Sequence, residues 1–119
     1  MNFLRSWKIE LENRVKGMIG LAKKAGKIVA GAEQCEKEIR AKKSELIIIA
    51  NDISDTGLKA ITDVCTHYSI KYIKCFTKEE LGNSVGASGE RSVLSINDKG
   101  FASAILKKYS ELQLGRNGE

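Results

Sequence analysis

The residues whose types and spacing could do chemistry sit close together in GKIVAGAEQCEKEIRAKKSELIIIA, residues 26–50. Gly31 has no Cβ, so another backbone can approach it closely. If a helix starts there, the free amides of its first turn carry partial positive charge and suit a phosphate. Ala32 adds no bulk, and the Gln34 amide can both donate and accept, as reading a base edge requires. Lys37 lies one turn on from Glu33 and on the same face, within reach of a phosphate. Lys27 stands just before, and Arg40, Lys42 and Lys43 extend the positive field. A plain amphipathic helix with solvated charges fits the same residues, with Glu33 and Lys37 as an i,i+4 pair worth a few tenths of a kcal/mol. The local pattern leaves both readings open.

Bond-making chemistry has less support. Nucleophilic catalysis needs a nucleophile with a positioned base, and the only histidine, His67, is expected to face solvent on a helix beside Tyr68. Asp52 follows an apolar strand as the phosphorylated aspartate of a receiver domain does. A receiver also needs an acidic pair on its first strand to hold magnesium, and KIVA has none. Gly82, Gly86 and Gly89 form neither a dinucleotide fingerprint nor a Walker loop. Cys35, Cys65 and Cys75 lack CxxC spacing, so they read as small buried hydrophobes. The expectation is a chain that is not an enzyme and has no catalytic residue, metal or cofactor.

The elements that must position these residues follow from periodicity. Leu11, Val15, Met18 and Ala22 mark one face of a helix, ended by Ala25-Gly26 with Lys23 and Lys24 in its last turn. Residues 27–30 predict a short strand, and 31–43 a second helix with Ala32, Cys35 and Ile39 inward. Residues 45–50 predict a strand apolar on both faces, which requires helices on both sides of the sheet. Residues 52–57 are loop and cap for a third helix, with Leu58, Ile61, Cys65 and Tyr68 inward. A third strand over 69–76 leads to a fourth helix over 77–84, where Thr77 and Glu80 make a capping box. A strand over 91–97 and a last helix capped by Asp98, with Phe101, Ala102, Ile105, Leu106 and Tyr109 inward, complete the chain. Alternating strands and helices predict an α/β fold: a three-layer α/β/α sandwich with a central mixed four-stranded sheet. One domain over 1–119 is expected, with a core of about 11–108 and a flexible tail over 113–119.

Charge is unevenly spread. The chain of 119 residues carries 20 Lys and Arg against 15 Asp and Glu, a net +5. Residues 14–43 hold nine basic against three acidic residues, +6, leaving −1 for the remainder. A concentrated basic region attracts nucleic acid or an anionic membrane face. The longest apolar run, LIIIA, is too short to span a bilayer, and the N-terminus scatters charges where a signal peptide needs an apolar segment. The expected location is cytoplasmic.

The glycine-led stretch resembles the kink-turn-binding ribosomal protein superfamily, of "L-seven-Ae / L-thirty-e" type. The match is its Gly, two small or polar residues, Gln or Glu, two residues, Lys, and a helix leading into a β-branched strand ending in Ala. The likeness continues through ANDIS, through KEELG with Gly86 following, and through the strand at 92–96; it covers roughly residues 11–108. NDKGFASAIL and the basic first helix look most like the bacterial, ribosome-associated branch. The resemblance implies a three-layer sandwich that binds RNA at kink-turns with tandem sheared G·A pairs. By position, Gly31 and Ala32 would allow close approach, Glu33 and Gln34 would face guanine edges, and Lys27 and Lys37 would meet phosphates; Arg40, from the wider positive field, joins the expected RNA-binding set. A loop of Ala87, Ser88, Gly89, Glu90 and Arg91 would cover the flipped-out nucleotide. Expected partners are ribosomal or other structured RNA, with ribosomal proteins beside it, no membrane, and a monomeric chain. Glu33 stands where the family often has Asn or Lys, and Ala87 is the covering loop's only apolar contact. These departures favour the alternative, a protein-interaction module on the ribosome.

Overall fold

The computed structural model describes residues 3–118, in the order α1 (Phe3–Lys24), β1 (Ile28–Ala30), α2 (Ala32–Arg40), β2 (Leu46–Ile49), α3 (Asp55–Tyr68), β3 (Tyr72–Lys74), α4 (Lys78–Ser84), β4 (Val93–Ile96) and α5 (Lys99–Gly118). The sheet order is β1-β4-β2-β3. β4 runs antiparallel to both β1 and β2, whereas β2 and β3 are parallel. The expected mixed four-stranded sheet is therefore present. β1, β2 and β3 point the same way, so their carboxyl ends share one sheet edge with the start of β4.

All four residues of β2 are buried, because the strand's two faces serve two cores. Leu46 and Ile48 pack with Val15, Ile19, Leu81 and Ile105 beneath α1, α4 and α5. Ile47 and Ile49 pack with Cys35, Ile39, Ile61 and Cys65 beneath α2 and α3. Each such isoleucine contributes about 1.5–3 kcal/mol relative to an exposed one. This gives three layers: helix, sheet, helix.

Four helices stop in the same way. After α1, Lys27 N donates to Ala22 O and Gly26 N to Lys23 O, a Schellman pair. The same pattern closes α2 at Lys42 and Lys43, α3 at Ser69 and Ile70, and α4 at Gly86 and Ala87. The turning residues Gly26, Lys42, Ser69 and Gly86 all have φ between 57° and 73°. Ser69 and Phe76, both left-handed, bracket β3 and limit it to three residues of the expected 69–76 strand. The Thr77–Glu80 capping box forms as expected, and Asp98 accepts from Phe101 N at 2.9 Å to open α5.

Two boundaries differ from expectation. Helix α1 begins at Phe3, ahead of Leu11, and α5 continues to Gly118, through the region expected as a tail from residue 113. One contact explains both: the Trp7 ring lies over Gly115, leaving no room for a Cβ. Leu112 is buried in the same layer. Glu119 lies outside the described residues.

Candidate nucleic-acid interface

Gly31 links the end of β1 to the start of α2 with φ 104° and ψ 137°, a conformation that side chains strongly disfavour. Its amide donates to Val93 O at 2.9 Å, and its carbonyl accepts from Cys35 N at 2.9 Å. The next three amides, of Ala32, Glu33 and Gln34, have no intrahelical acceptor by geometry, and no side chain caps them. All three residues are exposed, so Ala32 faces outward and not inward as expected. Nothing lies within 4 Å of the position a Gly31 Cβ would take. The mouth of α2 is open. Lys37, one turn along, is also exposed; among the described residues it makes no ion pair with Glu33.

The bond from Gly31 to Val93 continues the β1–β4 ladder beyond Ala30↔Leu94. It brings the mouth beside the segment that follows residues 87–91. Helix α4 holds that segment from beneath. Arg91 N donates to Lys78 O at 3.0 Å and Ala87 N to Gly82 O at 2.9 Å. The Gly89 carbonyl presses onto Gly82, where a Cβ would collide with it. The Lys78 ammonium stands 3.6 Å from the Glu90 carboxylate, and the Arg91 guanidinium donates to the Glu90 carbonyl at 2.8 Å. Ser88, Gly89 and Glu90 face solvent. Ala87 is half-buried against the α1/α4/α5 core, so the loop's apolar residue is turned inward.

Not every expected residue gathers at the mouth. Lys27 precedes β1 and hydrogen-bonds through its carbonyl to Asn97 N, at the opposite sheet edge, about 13 Å away at ~3.3 Å per residue. Arg40 is the last residue of α2, also about 13 Å from Gly31 at ~1.5 Å per residue. It lines a shallow groove with Asp63, His67 and Tyr68. Lys78, in contrast, belongs to the mouth edge and was not singled out from sequence. Its position directly after the capping Thr77 was the available signal.

Asp52 accepts from Lys78 N at 2.8 Å and so serves as a cap for α4. His67 is exposed, as expected. The three cysteines are buried and form no disulfide. Burial first, and then the nearby Glu38 and Cys65, push the Cys35 thiol up to about 12; burial pushes Cys65 up to about 11. Such thiols are poor nucleophiles. Cys35 instead donates weakly to Val29 O at 3.4 Å. Among the described residues no group of three potential metal ligands gathers, and no helix is long and apolar enough to cross a membrane.

The far end of α2 is anchored by a polar chain. Ser95 Oγ lies 2.8 Å from Ser44 Oγ and 2.6 Å from Asn97 Oδ1. A hydroxyl has one proton, so Ser95 donates to the amide oxygen and accepts from Ser44. Asn97 Nδ2 then donates to Glu38 Oε1 at 2.7 Å. With Gly31 fixed at one end and Glu38 at the other, the direction of α2 is set.

The model of the "Ribosomal protein L7Ae/L30e/S12e/Gadd45 family" matches residues 13–106. The RNA-binding protein YlxQ of Bacillus subtilis is 35% identical over 75% of this chain and 88% of its own length. YlxQ of Enterococcus faecium is 36% identical over 84% and 93% respectively. The large ribosomal subunit protein eL8 of Picrophilus torridus is 27% identical over 90% and 87%. Among solved structures, a Bacillus halodurans protein of unknown function has a TM-score of 0.77 and 26% identity, covering 81% of this chain and 96% of that one. The Giardia lamblia 15.5kD RNA binding protein has a TM-score of 0.70 at 20% identity, over 89% and 90%; that likeness is one of fold.

Proposed function

The chain belongs to the ribosomal protein L7Ae/L30e/S12e/Gadd45 family, in its bacterial branch, and from that premise we propose that it is a cytoplasmic, monomeric RNA-binding protein of the ribosome. It recognises kink-turn-like RNA and stabilises the bent form without chemistry; the family is one of ribosomal-type proteins and not of enzymes. The observation that carries this reading is the open first turn of α2. Three uncapped amides, with the Gln34 side chain among them, lie on exposed residues next to the 87–91 loop, which α4 holds and which the Gly31–Val93 bond brings alongside. Amides and the helix N-terminus meet phosphate, Gln34 meets a base edge, and Lys37 and Lys78 add cations at the rim.

Binding works by population shift. The chain prefers the bent conformer, and a preference of about 10⁴-fold converts a mostly open motif into a mostly bent one. The test compares wild type with Gln34→Ala and Lys37→Ala on a stem with tandem G·A pairs and on a scrambled stem. Gln34→Ala narrows the difference between the two RNAs, because it removes base reading. Lys37→Ala weakens both and flattens the salt dependence by about one phosphate contact. Equal losses on both RNAs for Gln34→Ala, or an unchanged salt slope for Lys37→Ala, would sink the assignment.

A protein-interaction module with little kink-turn affinity is the second reading, favoured by the exposed Glu33 and the inward turn of Ala87. Partners that survive nuclease treatment of a lysate before capture would support it.

A further inference from the structure

The mouth edge is not where this chain keeps most of its positive charge. Lys37, Lys74, Lys78 and Arg91 lie there with Glu33, Asp52, Asp55, Glu79 and Glu90. The opposite edge gathers the start of β1, β2 and β3, the end of β4, and the turns closing α1, α2 and α3. Hydrogen bonds hold these segments side by side: Asn97 N to Lys27 O, Glu45 N to Ile96 O, and Ile47 N to Lys71 O. Lys27, Lys42, Lys43, Lys71 and Lys99 are exposed along it, and Lys23 and Lys24 extend the row at the end of α1. Among the described residues none of these lysines makes an ion pair.

The acids on this edge are occupied or recessed. Glu38 accepts from Asn97, Asp98 accepts from Phe101 N, and Glu45 is half-buried. Seven ammonium groups against these three carboxylates leave +4. Lysines at helix C-termini are ordinarily explained by the macrodipole, so that must be subtracted. Three C-termini at about −0.5 each and the α5 N-terminus at about +0.5 lower the total to about +3. A surplus remains after local structure has used its share. Four strands at ~4.8 Å spread it over about 14 Å, a row suited to a nucleic-acid backbone.

We propose that this edge is a second RNA surface, gripping the sugar–phosphate backbone of a duplex while the α2 mouth reads a bent motif, so that one chain bridges two RNA segments. The bridging rests on the reading under Proposed function; the duplex grip does not. Along the row the α5 N-terminus is capped by Asp98 and the Asn97 amide is held by Ser95 and Glu38, so its binding is independent of sequence.

The test uses the full chain, a plain RNA duplex without internal loops, and the triple variant Lys27→Gln, Lys43→Gln, Lys99→Gln. All three side chains are exposed, and an unchanged melting curve confirms folding. Losing three phosphate contacts makes the log–log salt slope shallower by about 2.7, so the affinity lost between 50 and 200 mM salt shrinks by about 40-fold. Lys37→Ala, at the mouth, changes the duplex slope by no more than the ~0.9 of one phosphate contact, about a third of the triple variant's effect. Wild type also carries a labelled kink-turn RNA onto immobilised duplex, and the triple variant does not. An unaltered slope in the triple variant, with kink-turn binding intact, overturns this proposal alone. Loss of kink-turn binding on no mouth substitution overturns the earlier reading instead. If the triple variant loses phosphatidylglycerol vesicles but keeps its duplex slope, the edge is a lipid contact and the proposal fails.

Discussion

Gly31 donates its backbone amide to the Val93 carbonyl at 2.9 Å, and this bond couples the first turn of α2 to the strand that follows the 87–91 loop. Two segments some sixty positions apart in the chain are thereby one surface. The loop keeps its shape by resting on α4 and the helix start by resting on β4, so the bond sets how the two lie against each other.

Gly31→Ala tests that coupling. The site has open space, so the cost is conformational: at φ 104° an alanine is strained by about 1–3 kcal/mol. A chain of this size loses about 3–6 °C of melting temperature per kcal/mol. Calorimetry should record that loss, and RNA affinity should fall further than stability explains, because relief of strain moves the three free amides. Unchanged affinity would detach the amides from binding.

Gly82→Ala probes the loop from below by a different mechanism. Its φ is not left-handed, but a Cβ would strike the Gly89 carbonyl, and overpacking of this kind costs about 1–3 kcal/mol. Backbone cannot rotate aside as a side chain can, so residues 88–90 must shift. Gly86→Ala is the control: its surroundings are open at φ 67°, so it pays only for strain. Kink-turn binding should suffer more in Gly82→Ala than in Gly86→Ala at matched stability.

The layered α/β architecture was legible because Ile47 and Ile49 alternate with Leu46 and Ile48, an apolar strand that only a doubly covered sheet can bury. The α2 mouth was legible because glycine followed by small and polar residues is a local signal. What stayed hidden depends on distant partners. Trp7 on Gly115 extends both terminal helices, yet neither residue belongs to a periodic stripe that names the other. Lys27 and Gly31 are only four positions apart in sequence, yet an extended strand turns that into about 13 Å. Ala32, likewise, obeys helical spacing but sits where no second layer covers it. Asp52 could be read only as an acid after a strand until Lys78 N was seen beside it.

Glu80 gives a pH signature. Its carboxylate accepts from the Lys16 ammonium at 2.6 Å and from Thr77 N at 3.0 Å. The Lys16 bond first, then the Thr77 contacts, hold its pKa below the usual glutamate range against the opposing effect of partial burial. A folded pKa below the unfolded one adds stability above about pH 4.3 that is lost as pH falls through the folded value. Glu80→Gln should therefore lower stability at neutral pH by about 0.2–1 kcal/mol, through loss of the part-exposed ion pair with Lys16, since glutamine still completes the capping box. The gap between the two proteins should narrow in acid. A gap constant from pH 7 to pH 3 would mean that the ionised carboxylate has no part in it.

Glu33→Asn should move stability and binding in opposite directions. In the first turn of α2, the carboxylate favours the helix dipole by about 0.3–1 kcal/mol, and it has no salt bridge with Lys37 among the described residues to add to this. Asparagine gives up that term, so the melting temperature should fall slightly. Against RNA, the same carboxylate can accept from a guanine N–H but cannot donate to O6, and it repels phosphates drawn to the neighbouring amides. The asparagine side chain keeps an acceptor and gains two donors. One added hydrogen bond at about 0.5–1.5 kcal/mol, together with the lost repulsion, amounts to about 1–2 kcal/mol, or roughly 5- to 30-fold tighter binding. Titration of the G·A-containing stem should show that gain and the scrambled stem much less of it. Equal gains on both would assign Glu33 to electrostatic repulsion alone, and no gain on either would place the residue outside the RNA contact.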